Sequence, residues 1–205
     1  MWHQETISPG ALQTLRSLQE LSALRTFHLA GGTGLALHLG HRRSEDLDFF
    51  SSESFNEGTL IQKVQSMPGF SLVAKEPGTL HAHIGGVKVS FLAFAYPMLF
   101  PCAAFLEVRV ADPRDIACMK VNAIAGRGTK RDFVDLYAVS RDYGITQIIE
   151  WFKQKFAAAN YSKVHILKSL TYFDDAEKDP APDMLLPISW EEVKELFIQE
   201  VPRML

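Results

Sequence analysis

The sequence predicts an α/β (α+β) fold, with a mixed sheet and helices over residues 1–111 and a helical C-terminal part over 112–205. Three observations lead there. The stretch Phe27 to Phe50, FHLAGGTGLALHLGHRRSEDLDFF, reads as strand, glycine turn, helix and strand in immediate succession. Three alternating apolar runs follow between residues 70 and 95, two of them joined by Gly85-Gly86. From Asp112-Pro113 onward the apolar spacing becomes helical and capping residues recur.

Taken in order, Ser8-Pro9 opens a helix on which Leu12, Leu15, Leu18, Leu21 and Leu24 keep to one face. Phe27 to Ala30 is a short strand ending at Gly31-Gly32, after which Thr33 caps a helix from Gly34 to about Gly40. The chain returns as the strand Asp46 to Phe50. Glu57 to Met67 is a helix ended by Pro68-Gly69, and Phe70 to Ala74, Leu80 to Ile84 and Val87 to Ala95 are strands. Phe105 to Val110 adds one short strand. Helices then run from Pro113 to Ala125, from Thr129 or Lys130 to Tyr143, from Gln147 to Ala159 behind a Thr146 cap, and from Tyr161 to Leu170. The acidic, proline-rich stretch Asp174 to Pro187 reads as a surface loop, and Ser189 to Glu192 is a capping box opening a last helix before Pro202.

A chain of 205 residues with 47% apolar content buries a substantial core. It has no apolar run of membrane-spanning length, and MWHQETISPG does not have the pattern of a secretory leader, so a cytoplasmic protein without membrane contact is expected. Cys102 and Cys118 are only two, do not form a C-x-x-C pair, and read most simply as reduced core or near-core residues, a disulfide being the lesser alternative. A net charge of −3 gives no general attraction to nucleic acid. Any such contact rests on a local cluster, such as Lys120, Arg127, Lys130 and Arg131, with Arg42-Arg43 nearby if the fold joins the two blocks.

The chemistry concentrates between Gly31 and Asp48. Glycines at 31 and 32 permit close approach of a ligand, and the free N–H groups of the following helix favour a phosphate. Asp46 and Asp48, two apart on a strand, face one side while Leu47 and Phe49 face a core. Paired carboxylates of this kind suit Mg²⁺ or Mn²⁺, which would bridge them to phosphates at the glycine turn. Gly32-x-Gly34 is not a dinucleotide fingerprint, because Leu37 stands where that motif wants glycine or alanine. His81 and His83 alternate on a strand, but no third ligand stands at a recognisable spacing for a transition metal.

Gly-Gly-Thr, a helix and Asp-x-Asp together resemble the polymerase-beta-like nucleotidyltransferases, and GGTGLALHLGHRRSEDLDFF resembles their AbiEii/AbiGii-type toxin branch. KVNAIAGRGTKRDFVDLYAV, Lys120 to Val139, resembles the second block of that branch. The resemblance implies a nucleotidyltransferase fold, a nucleoside triphosphate as ligand, an RNA acceptor such as tRNA or else a protein, and an antitoxin partner. It also implies that Asp46 and Asp48 hold metal and serve catalysis. Gly31, Gly32, Thr33, Lys120 and Arg131 would bind nucleotide, and Asp132 would orient the cations or act in catalysis. The superfamily usually carries a third carboxylate on a later strand, where this chain has Ser90 in Val87 to Leu92. Two readings therefore stay open: nucleotide transfer, or a degenerate module that binds nucleotide without turnover.

Overall fold

The computed structural model describes residues 1–204. In chain order the elements are α1 (Pro9–Leu18), β1 (His28–Leu29), α2 (Gly31–Leu39), β2 (Leu47–Ser51), α3 (Glu57–Val64), β3 (Ser71–Glu76), β4 (Thr79–Ile84), β5 (Val87–Ala93), β6 (Ala103–Phe105) and β7 (Val108–Val110). Then come α4 (Pro113–Gly126), α5 (Lys130–Tyr143), α6 (Ile145–Lys155), α7 (Lys163–Ser169), α8 (Asp174–Glu177) and α9 (Trp190–Glu200). Among the described residues, no helix is long and apolar enough to cross a membrane.

The strands form one mixed sheet in the order β3-β4-β5-β2-β1-β7-β6. The β3-β4-β5 meander is antiparallel, β2 runs parallel to β5 and antiparallel to β1, and β1 runs parallel to β7. Alternation along the strands decides what each face does. Leu47, Phe49, Leu80, Val89 and Phe91 are buried against Leu15 and Leu18 of α1 and Leu60 and Val64 of α3. A second core joins α2 to the C-terminal helices through Leu35, Ile116, Val121, Phe133, Leu136, Ile148 and Phe152. Between these cores, the side of β2 and β5 that carries Asp48 and Ser90 is left to line a cleft.

Several starts and stops follow the side chains that the sequence marked. Ser8, Asp112, Thr129 and Ser189 each accept a hydrogen bond from the first turn of their helix, and Ser189 with Glu192 completes a capping box. Asp115 and Lys155 form a buried pair at 2.7 Å. Asp115 also accepts from the amides of Leu99 and Phe100 at 3.1 and 2.9 Å, while Lys155 donates to the Pro97 carbonyl at 2.7 Å. The connection from β5 to β6 is thereby pinned to the helical layer. Cys102 and Cys118 are free, and burial, with Asp115 nearby, pushes the Cys118 thiol up to about 12.

Four local expectations are corrected. Thr33 does not cap a helix: α2 already starts at Gly31, and the Thr33 hydroxyl instead donates to the Asp46 carbonyl and bonds the Ser44 hydroxyl at 2.8 Å. Phe105 to Val110 is not one strand. Leu106 and Glu107 form a tight turn between β6 and β7, with Leu106 at φ 53 and packed on the core, so no glycine announced it. Thr146 lies inside α6, because Gly144 both closes α5 and caps α6. The stretch from Asp174 to Pro187 contains α8, and its remainder is fastened to the cleft rim by bonds from its own carboxylates and amides.

Candidate active site

The first wall of the cleft is β2. Its pleat sends Leu47 and Phe49 into the core and leaves Asp48 and Phe50 on the cleft, with Asp46 just before the strand. Burial raises the Asp48 carboxyl above its ordinary range, Ser90 opposes that shift, and the nearby Asp46 charge adds to it. Among the described residues no lysine, arginine or histidine forms an ion pair with either carboxylate. Two neighbouring acids, one largely buried and neither neutralised, make a donor set that fits a hard divalent cation whose remaining positions are open to phosphate oxygens or water.

Facing them is the N-terminus of α2. Gly31 has φ +60, and a Cβ there would come within 2.8 Å of Asp48 Oδ2. A Cβ on Gly32 would meet the Arg42 guanidinium at 2.2 Å. Both positions must therefore be bare for reasons inside the protein: Asp48 and Arg42 occupy the space that side chains would take. The first amides of α2 have no helical acceptor and carry the positive end of the helix dipole.

The third wall is the α4–α5 block, and its charges are linked. Lys120 Nζ lies 2.8 Å from Asp132 and 2.6 Å from Asp135, both of them buried on one face of α5. Asp135 also accepts from Arg42 Nε at 2.6 Å, from Arg42 Nη2 at 2.9 Å and from His41 Nε2 at 2.8 Å. Burial alone would raise Asp135, but Lys120 and Arg42 outweigh it and hold its carboxyl well below the usual range. Lys120 shows the converse. Burial would lower it, while Asp135 and Asp132 keep it raised and charged. Asp132 is likewise held low against burial by Lys120, and its second oxygen accepts from the Thr129 hydroxyl at 2.5 Å.

On the far side, β5 pairs with β2 so that Ser90 is opposite Asp48. The Ser90 hydroxyl lies 3.0 Å from His81 Nδ1 on β4, and Lys88 and Leu92 flank it along the cleft. The cleft has a volume of about 300 Å³ and continues past Thr129 and Arg131 into a second hollow of about 400 Å³, walled by Arg43, Asp179 and Asp183. Asp179 caps the Lys130 amide at 2.9 Å, the Arg43 amide donates to the Asp183 carbonyl at 2.8 Å, and Leu185 and Leu186 donate to the His41 carbonyl at 3.0 and 3.1 Å.

Asp46, Asp48, Gly32, Lys120, Arg131 and Asp132 thus line one cleft. Gly31 lies against its Asp48 wall, and Thr33 is buried behind the Asp46 carbonyl. Sequence reasoning placed Arg42 only conditionally and left His41 and Asp135 without a role. The one signal for Asp135 was its spacing of three from Asp132, which puts both on one helical face. His83 points along the same strand as His81, but among the described residues no group of three metal-ligating side chains gathers there.

A family profile described as nucleotidyl transferase AbiEii toxin, type IV toxin–antitoxin system, matches residues 13–98 and 84–203. An uncharacterised protein of Aquifex aeolicus (strain VF5) is 34% identical over 195 residues, covering 92% of this chain and 93% of that protein. In fold, the chain is similar to MenT4, a nucleotidyltransferase toxin of Mycobacterium tuberculosis H37Rv, with a TM-score of 0.59, 15% identity and coverage of 97% of this chain and 86% of that one. A candidate nucleotidyltransferase of H. pylori aligns with a TM-score of 0.50 at 14% identity, over 96% and 95% of the two chains.

Proposed function

The chain belongs to the AbiEii nucleotidyl transferase toxin family, and on that premise we propose that its cleft binds a nucleoside triphosphate with Mg²⁺ or Mn²⁺ and transfers the nucleotide to an RNA such as tRNA. The observation that carries this reading is the pair Asp46 and Asp48, unneutralised and set against the amide end of α2. Asp46 and Asp48 would hold the cation, which when bound supplies charge neutralisation for the phosphates and the leaving pyrophosphate. The first amides of α2, those of Gly31 and Gly32 among them, would donate to phosphate oxygens. Lys120 presents a fixed positive charge, its ammonium oriented by Asp132 and Asp135. Asp132 has both oxygens engaged, by Lys120 and Thr129, so its part is to position Lys120. Arg131, exposed on the first turn of α5, reaches the phosphates from the solvent side. An antitoxin protein is the partner that the family implies.

A second reading, nucleotide binding without turnover, is favoured by one observation, the neutral Ser90 opposite Asp48. The test is incubation of α-labelled nucleoside triphosphates, each base separately, with total RNA and Mg²⁺ or Mn²⁺. Label on RNA from the wild type and none from Asp46→Ala/Asp48→Ala supports transfer. Bound nucleotide without label on RNA or protein supports the second reading instead.

A further inference from the structure

The hydroxyl that stands in place of a third carboxylate is not isolated. Ser90 lies between Asp48, its partner across the β2–β5 pairing, and His81, whose Nδ1 is 3.0 Å from Ser90 Oγ. The polarity of this row follows from what each group can donate. The strand register sets the Ser90 hydroxyl beside Asp48, and an ionised carboxylate only accepts. With the single Ser90 proton turned toward Asp48, Ser90 Oγ accepts from His81. In that arrangement Nδ1 carries the imidazole hydrogen, and the lone pair lies on Nε2. Among the described residues that nitrogen has no hydrogen-bond partner, and it does not belong to the buried, unsatisfied atoms. His81 itself lines the cleft beside Lys88 and Ser90, on the strand next to β5 in the sheet that carries the carboxylates.

We propose that His81 is the proton acceptor for the incoming hydroxyl, in the place where a third carboxylate would otherwise serve. The inference rests on the transfer reading above. As the acceptor oxygen forms its bond to the α-phosphorus, its proton passes to Nε2, and the bond from the α-phosphorus to pyrophosphate breaks. The imidazolium so formed keeps its Nδ1–H on Ser90, which relays the Asp48 charge to it. A histidine needs no negative charge of its own to take up a proton, so the site accepts a base without a third carboxylate.

The experiment compares wild type, His81→Ala, His81→Asn and Asp48→Asn in single-turnover transfer of α-labelled nucleotide to RNA, with triphosphate affinity measured separately. Asparagine retains an N–H donor for Ser90 but has no basic lone pair. The expected result is a fall in rate of about a hundredfold or more in both His81 variants, the usual worth of a general base, with affinity changed less than about twofold. A wild-type rate in His81→Asn, or a parallel loss of affinity and rate in both variants, overturns the proposal by reducing His81 to a hydrogen-bonding support. If those results appear while Asp48→Asn is inactive, the transfer reading stands and only the role of His81 fails. A wild type that binds triphosphate but moves no label overturns both.

Discussion

Arg42 and Asp135, 93 residues apart in sequence, meet in a two-pronged ion pair, with Nε 2.6 Å from Oδ1 and Nη2 2.9 Å from Oδ2. The same carboxylate takes Lys120 and His41, so it is the one acid on which the α2–β2 loop, α4 and α5 converge.

Removing that acid leaves Arg42 buried without its ion pair and Lys120 with Asp132 alone. Asp135→Ala should lose roughly 3–5 kcal/mol of stability, measured by urea unfolding. Asp135→Asn, which retains the shape but not the charge, should lose a similar amount. An asparagine variant as stable as wild type would mean that the shape of the contact, and not its charge, holds the cleft together.

Acid sensitivity should come from His28, which is buried in β1 with its Nε2 unpartnered. Burial, reinforced by Arg109 and Lys155, lowers it from 6.5 to about 4. The unfolded chain takes up the proton first. Stability is therefore complete above pH 6.5, declines as the pH falls, and levels off below about 4, a loss of about 3 kcal/mol. In His28→Leu the difference in unfolding free energy between pH 7 and pH 4.5 should shrink accordingly. Asp135 contributes in the opposite range: its depressed carboxyl stabilises above the ordinary carboxylate pKa and yields only in stronger acid.

Gly31→Ala places a side chain in left-handed backbone, at a cost of roughly 1–2 kcal/mol, and against Asp48 Oδ2. Thermal unfolding should show that loss. Transfer activity should fall further than the stability change explains, because the carboxylate itself must move aside.

Arg131 is exposed and forms no ion pair among the described residues, so Arg131→Ala should leave the melting temperature within about 1 °C, as for other surface changes. Triphosphate affinity should drop about tenfold, the size of one charge-assisted hydrogen bond. Equal affinity in titrations at low salt would remove Arg131 from the phosphate site.

Much of this was legible in the residues. The period-two pattern of Leu47, Asp48 and Phe49 revealed both the strand and the direction of its acid, and Ser8, Thr129 and Ser189 announced their helices through local chemistry. The meander followed from Gly85-Gly86. What stayed hidden was non-local or lacked a marker. Lys120 and Asp132 were expected at the site, but their link through Asp135 became visible only once α2 and its loop brought Arg42 onto that carboxylate. Leu106 forms a turn that glycine would have signalled. Asp179 and Asp183 look like loop residues by composition, and only the folded chain shows that they are fastenings.

The segment from Asp179 to Leu186 also imposes an order in time. Arg43 and His41 leave the ribosome early, but Asp183, which binds Arg43, follows 140 residues later. At 5–20 residues per second that interval is roughly 7–28 s, during which the early sheet has its acids yet lacks one wall of the cleft. A nascent chain therefore carries the carboxylates of its site well before the site is closed, and synthesis of this segment is the event that closes it.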